Sequence, residues 1–100
     1  MDIRDVNFRI RLGVDYDLSN AGVLNLIFTL PPTGATFTKA ATLGTAAYSG
    51  DGQSFLANQW AYYDTVAGDF TQTGSWNIVL EYADATSTYY SYPPVILEVT

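Results

Sequence analysis

Side chains able to do chemistry are few in this chain, and nearly all of them are carboxylates. Six of the ten acids are the candidates, in two groups: Asp15 and Asp17 with Asn20 close by, then Asp64, Asp69, Glu81 and Asp84. Two carboxylates at the right separation can hydrolyse a glycoside, one as acid and the other as base or nucleophile. An oxygen-rich run of Asp and Asn is also how a calcium loop begins, but an EF-hand needs in addition a Gly at its sixth position and a Glu at its twelfth. The residues after Asp15 do not supply that frame, and the run reads as an Asx-turn, in which a short carboxylate binds the backbone two residues on. The other four acids fall in turns or at outward strand positions, where water keeps a carboxylate ionised and nothing raises its pKa.

Missing residue types narrow the chemistry further. With no histidine anywhere, the usual general base near neutral pH and the commonest zinc ligand are both gone. With no cysteine, disulfides, thiolate catalysis and cysteine metal sites are excluded. No catalytic residue, metal ligand or cofactor is therefore assigned, and the expectation is a protein that is not an enzyme. Ten acids against four basic residues give a formal charge of −6, which repels a polyanion and leaves little to neutralise phosphates. Nucleic acid is not an expected partner. Charged residues make up only 14% of the chain, against about a quarter in an ordinary soluble domain, and Thr, Ala, Ser and Tyr take their places. Such a surface is suited to contact. The opening "MDIRDVNFRI" has acids where a signal peptide needs basic residues, and no stretch is long and apolar enough for a membrane helix. Synthesis in a cytoplasm, with no membrane partner, is expected.

The elements that must position these residues alternate with a period of two. In "NFRIRLGV", Phe8, Ile10, Leu12 and Val14 alternate with Asn7, Arg9 and Arg11, the mark of a strand with one dry face. "VLNLIFTL" places Leu24, Leu26, Phe28 and Leu30 on one side and ends at Pro31 and Pro32, which cannot donate to a ladder. The turn "PPTG", with Gly34 free to take positive φ, leads to a short strand in "ATFTKAA". Residues 43–57 show no clean period and read as a long loop or irregular hairpin, within which Thr45 to Leu56 is expected to be a mobile docking segment. "NQWAYYDT" puts Trp60 and Tyr62 on one face, Ala61 and Tyr63 on the other. After a turn, "SWNIVLEY" turns Trp76, Ile78, Leu80 and Tyr82 inward. "TYYSY" and "VILEVT" close the set, the latter with Val95, Leu97 and Val99 aligned. About seven short strands and no helix, in 100 residues, favour one domain: an all-β, antiparallel, immunoglobulin-like β-sandwich with a short N-terminal arm over about residues 1–6. Trp76, two residues after Gly74, is expected to anchor the core.

Tyrosines outnumber what such a core absorbs. Adjacent pairs such as Tyr62-Tyr63 and Tyr89-Tyr90 must send one ring to each face of their sheet. Some rings are therefore outside, as cross-strand pairs on a wet sheet, as a protein interface, or as a platform for sugars. The residues assigned to an interface are Tyr48, Phe55, Tyr63 and Tyr90.

"AGDFTQTGSWNIVLEY" resembles the A-G-D-hydrophobic-x-x-x-G-x-W-x-hydrophobic-x-x-x-Tyr signature of small immunoglobulin-like virion proteins of tailed bacteriophages, related to the N-terminal domain of the phage baseplate upper protein. "DLSNAGVLNLIFTLPPTG" and "YYSYPPVILEV" are similar to that family's strand-and-turn unit and closing strand, in the same order. The chain departs from the family in having "MDIRDVNFR" in place of a Gly-Asp or Gly-Thr element, and in a longer, less polar stretch over 43–57. The resemblance implies a virion component made in the bacterial host cytoplasm and present in many copies. Its implied partners are other phage virion proteins (tail, baseplate, fibre or major capsid protein) and further copies of itself. Two roles fit: a tail or baseplate attachment protein that seats a fibre, or a capsid cement or decoration protein. A carbohydrate-binding module used in host recognition is the alternative of a different class.

Overall fold

The structure, a computed structural model, describes residues 8–31, 34–50, 52–92 and 94–100. The expected N-terminal arm thus lies outside the described residues. Ten strands, paired antiparallel throughout, make up the described chain: β1 (Arg9–Gly13), β2 (Val23–Thr29), β3 (Thr36–Ala40), β4 (Thr42–Leu43), β5 (Tyr48–Gly50), β6 (Gln53–Phe55), β7 (Trp60–Asp64), β8 (Gly74–Ala83), β9 (Thr88–Tyr90) and β10 (Val95–Val99). All seven expected strands are present. The count is ten rather than about seven because residues 42–55 form β4 and the hairpin β5-β6, whose strands of two or three residues are too short for alternation to register.

One sheet has the order β1-β7-β4 and a second the order β10-β8-β2-β3, while β5 and β6 form a third sheet of two strands. β9 joins the second sheet on the side of β8 that β10 occupies, so the two run end to end along it: β10 opposite Gly74–Ile78 and β9 opposite Glu81–Ala83. Between them the sequence reads Ser91-Tyr92-Pro93-Pro94, and a proline cannot donate to a ladder. Ser91 bridges the break from both ends: its amide donates to the Leu80 carbonyl at 2.9 Å, and its hydroxyl accepts from the Leu80 amide at 2.9 Å.

The dry faces of the first two sheets meet. Ile10 and Leu12 from β1, Leu26 and Phe28 from β2, and Ala61 from β7 pack with Trp76, Ile78, Leu80 and Tyr82 from β8. Trp76 is 0% exposed, as its position predicts, with its ring edge-on to Phe70 at 4.9 Å and to Phe37 at 5.9 Å. Its indole N–H donates to the Gln72 carbonyl at 3.0 Å, satisfying the one polar group the ring carries inward. Gly74 precedes it at φ 125°, a conformation closed to most side chains, and a Cβ there would press on Pro31. The β2-β3 turn likewise has Gly34 at positive φ.

Two turns contribute core side chains that alternation does not reveal. Leu18 is fully buried although it follows Asp17 in a turn, and Phe70 plugs the end of the core from the loop before β8. Asp17 makes the expected Asx-turn, accepting from the Ser19 amide at 2.8 Å.

Candidate interaction surface

The first sheet carries a second aromatic cluster on its outer face. Register aligns Arg9 with Asp64, Arg11 with Tyr62 and Gly13 with Trp60, so these six share that face. Arg9 binds Asp64 through two hydrogen bonds, of 2.7 and 3.0 Å, and its guanidinium lies 3.9 Å from the Tyr62 ring centre. Asp64 is held below the usual carboxylate range by that hydrogen bond from Arg9. The β5-β6 hairpin folds over the same face. Tyr48 and Phe55, directly opposite in its register, bring their rings to within 5.5 and 5.9 Å of Trp60, and Arg11 sits 4.1 Å from the Tyr48 ring centre. The Trp60 indole donates to the Ala46 carbonyl at 2.8 Å. Glycines make room for this cap: a Cβ on Gly13 would overlap the Phe55 ring, and one on Gly44 the Trp60 indole.

Residues 45–50 and 52–56, within the stretch read as a long loop or irregular hairpin, therefore include a hairpin that is seated on the sheet. A hairpin this short is marginal by itself; the rings of Tyr48 and Phe55 hold it down, and both side chains are half-buried in doing so.

Tyr63 also differs from expectation. Alternation in β7 is as read, but Ala61 and Tyr63 face the core while Trp60 and Tyr62 face away. Tyr63 packs edge-on to Phe28 at 6.0 Å and donates its hydroxyl to Asp69 Oδ2 at 2.8 Å. Burial, then the hydrogen bond to Asp69, push its phenol up to about 12. Asp69 is not solvated as supposed. It is 8% exposed, accepts also from the Val66 amide at 2.8 Å, and has the Lys39 ammonium 3.6 Å away. The loop before β8 is tied down by this one carboxylate.

Glu81 and Asp84 are likewise engaged in the framework. Glu81 accepts from Asn25 Nδ2 at 2.8 Å and from the Tyr90 hydroxyl at 3.3 Å. Asp84 caps its turn by accepting from the Thr86 and Ser87 amides at 2.9 and 2.8 Å. Among the described residues, no three acids are grouped so that they could hold a metal ion.

Of the four residues assigned to an interface, Tyr90 alone is largely exposed, at 57%. It belongs to a run that sequence reasoning only partly found. Tyr89, Tyr90, Tyr92, Val95 and Ile96 are all exposed along the β9-β10 edge, Tyr92 at 91% and Ile96 at 60%. Val95 was expected to share the dry face with Val99, but burial along β10 increases only towards Val99. The signal that was available is the Pro pair after Tyr92, since a proline cannot donate to a ladder and marks an interruption there. Beside this edge is a groove of about 650 Å³ whose lining includes Tyr16, Phe55, Tyr90, Tyr92 and Val95. Compared with protein-family models, with curated proteins and with solved structures, the chain finds no match.

Proposed function

We propose that this chain is a non-catalytic structural protein of a tailed-bacteriophage virion, which docks onto and links other particle components as a tail or baseplate-fibre attachment protein or as a capsid cement or decoration protein. The resemblance carried by "AGDFTQTGSWNIVLEY" supports the virion assignment. Strand order supports an immunoglobulin-like fold. If β1, β7 and β4 stand for strands B, E and D, then β2, β3, β8 and β10 stand for C, C′, F and G, and both sheets have the order of that sandwich. Trp76, near the start of β8, also bonds back to the backbone four residues upstream, as the tyrosine of an immunoglobulin corner does.

The observation that carries the docking reading is the exposed run along the β9-β10 edge. An edge strand presents unpaired backbone groups, and soluble proteins commonly guard it with lysine or an inward charge. The opposite edge, β3, has Lys39; β10 carries Val95 and Ile96 exposed and a single charge, Glu98. Apolar and tyrosine side chains cost little to desolvate and offer area with few rotamers to freeze. Where a particle repeats the contact by symmetry, a modest area per copy suffices. The engagement of Asp64, Asp69, Glu81 and Asp84 in structural hydrogen bonds supports a role without catalysis.

The test is incorporation into particles of a variant in which Tyr90, Tyr92 and Ile96 are changed to Ser, with circular dichroism as the check on folding. Incorporation should fall at least about tenfold, the effect of losing one or two anchoring side chains. Wild-type incorporation of the folded variant refutes the edge as the docking site. Electron microscopy of particles with and without the protein then places it on head or tail. The groove beside Tyr90 and Tyr92 favours one second reading, a carbohydrate-binding module, since ring faces beside Asp15 and Ser54 suit a sugar; a glycan array tests it.

A further inference from the structure

A second cleft, of about 400 Å³, opens where β8 ends and is lined by Tyr16, Asp17, Tyr82, Asp84 and Tyr89. The three rings form a close triangle, with centres 5.9 Å (Tyr16–Tyr82), 6.1 Å (Tyr16–Tyr89) and 5.7 Å (Tyr82–Tyr89) apart. Their planes are inclined at 64°, 50° and 27°, so they form a cup rather than a stack. Each ring face is the negative end of a quadrupole. The phenols of Tyr16 and Tyr82 are held above their ordinary range, chiefly by burial, and so stay neutral.

Two carboxylates flank the cup. Asp17 and Asp84 are both held below the usual range by backbone N–H groups, Asp17 by that of Ser19 and Asp84 by those of Thr86 and Ser87. Among the described residues, neither charge is matched by a cation. Of the described basic side chains, Arg9 is bound to Asp64, Arg11 lies on Tyr48, and Lys39 faces Asp69. The Tyr16 hydroxyl is buried without a hydrogen-bond partner. A site with aromatic faces, two unmatched negative charges and an unused phenol oxygen selects a ligand that is positively charged, weakly hydrated and able to lie on rings.

We propose that the Tyr16–Tyr82–Tyr89 cleft binds an organic cation, either the ammonium or guanidinium end of a partner's Lys or Arg side chain or a small quaternary amine. Asp17 and Asp84 set the sign of the charge, and the rings favour an alkylated or planar cation over a hydrated metal ion. The site shares Tyr89 with the β9-β10 contact surface, but its other walls, Tyr16, Asp17, Tyr82 and Asp84, lie outside that run, and cation binding does not rest on the proposed role in a particle.

The experiment is a two-dimensional amide NMR titration of the labelled chain at constant ionic strength. The probes are choline, its neutral carbon isostere 3,3-dimethyl-1-butanol, and blocked lysine and arginine amides. Choline should give saturable shifts at residues 16–17, 82–84 and 89, with a dissociation constant on the order of 1 mM, and the neutral isostere should bind at least about tenfold more weakly. Asp17→Asn and Asp84→Asn retain an oxygen for their turns while removing the charge, and each should weaken choline several-fold. Tyr89→Ala, which removes the most exposed wall, should do the same in a protein whose remaining spectrum is unchanged. If the blocked arginine or lysine binds more tightly than choline, the source is a partner's side chain; the reverse order assigns a free amine. Equal binding of choline and its neutral isostere, or no saturable shift with any cation, overturns the proposal.

Discussion

The seat of the β5-β6 hairpin can be tested with single methyl groups. A Cβ on Gly44 would overlap the Trp60 indole, and one on Gly13 the Phe55 ring. What each costs depends on whether the ring can give way. Trp60 is pinned by its 2.8 Å bond to the Ala46 carbonyl and by Tyr48, Phe55 and Tyr62 around it. Gly44→Ala should therefore fall in the upper half of the overpacking range, about 2–3 kcal/mol. Phe55 stands at the end of a two-stranded hairpin and is half-exposed, so it can swing aside, and Gly13→Ala should cost about 1 kcal/mol. Gly22 is the control. A Cβ there meets only the Ala83 carbonyl, at an ordinary 3.7 Å, and Gly22→Ala should be neutral or stabilise by about 0.4–1 kcal/mol through the unfolded chain. Urea denaturation followed by tryptophan fluorescence gives all three values, with an unchanged m-value confirming that only stability moved. In a double-mutant cycle, Gly13→Ala and Phe55→Ala should couple by about 0.5 kcal/mol or more, because removing the ring removes the clash. If Gly44→Ala is as stable as wild type, the hairpin does not rest on Trp60, and the account of residues 45–56 as a seated cap is wrong.

Trp76→Ala should cost about 3–5 kcal/mol, and Trp76→Phe, which keeps a ring but strands the Gln72 carbonyl, about 1–3 kcal/mol; a loss under about 1 kcal/mol for the alanine variant would remove the ring from the core. The Tyr63 phenol, pushed up to about 12, holds its proton more tightly folded than unfolded, so its contribution is intact below about pH 10 and is lost as pH rises towards 12. Denaturation midpoints across that window should therefore fall less steeply for Tyr63→Phe than for wild type, and an equal slope would mean that folding does not raise the pKa of this phenol.

Much of the fold was legible because alternation records which side of a strand is wet. Ile10 and Leu12, Leu26 and Phe28, and Trp76 to Tyr82 are buried where a period of two puts them, with no knowledge of partner strands needed. The Asx-turn at Asp17 and the turn at Gly34 were equally plain, because each depends only on residues near it. In β7 the same rule gave the alternation but not its sense. Trp60 and Tyr62 are larger than Ala61, and size alone assigns them to the core. The fold instead gives the inner side to Ala61, which is fully buried against the facing sheet, and covers Trp60 with a hairpin from 5 to 12 residues earlier in the chain.

Contact between distant residues decided the rest. Asp69 looks solvated in sequence, being flanked by Gly68 in a turn, and is buried only because Tyr63 and Lys39 are brought to it. The cleft of Tyr16, Tyr82 and Tyr89 joins three segments spread over more than 70 positions, and no local pattern announces it. The exposed edge at Tyr92 and Ile96 exists because β8 pairs with β9 and β10 on one side and nothing described pairs beyond them. Sequence by itself determined the longer strands and the absence of histidine and cysteine chemistry, since backbone pattern and residue inventory are local properties. Tertiary structure alone decided which tyrosines are framework and which stand exposed, because burial belongs to a pair of surfaces and not to a residue.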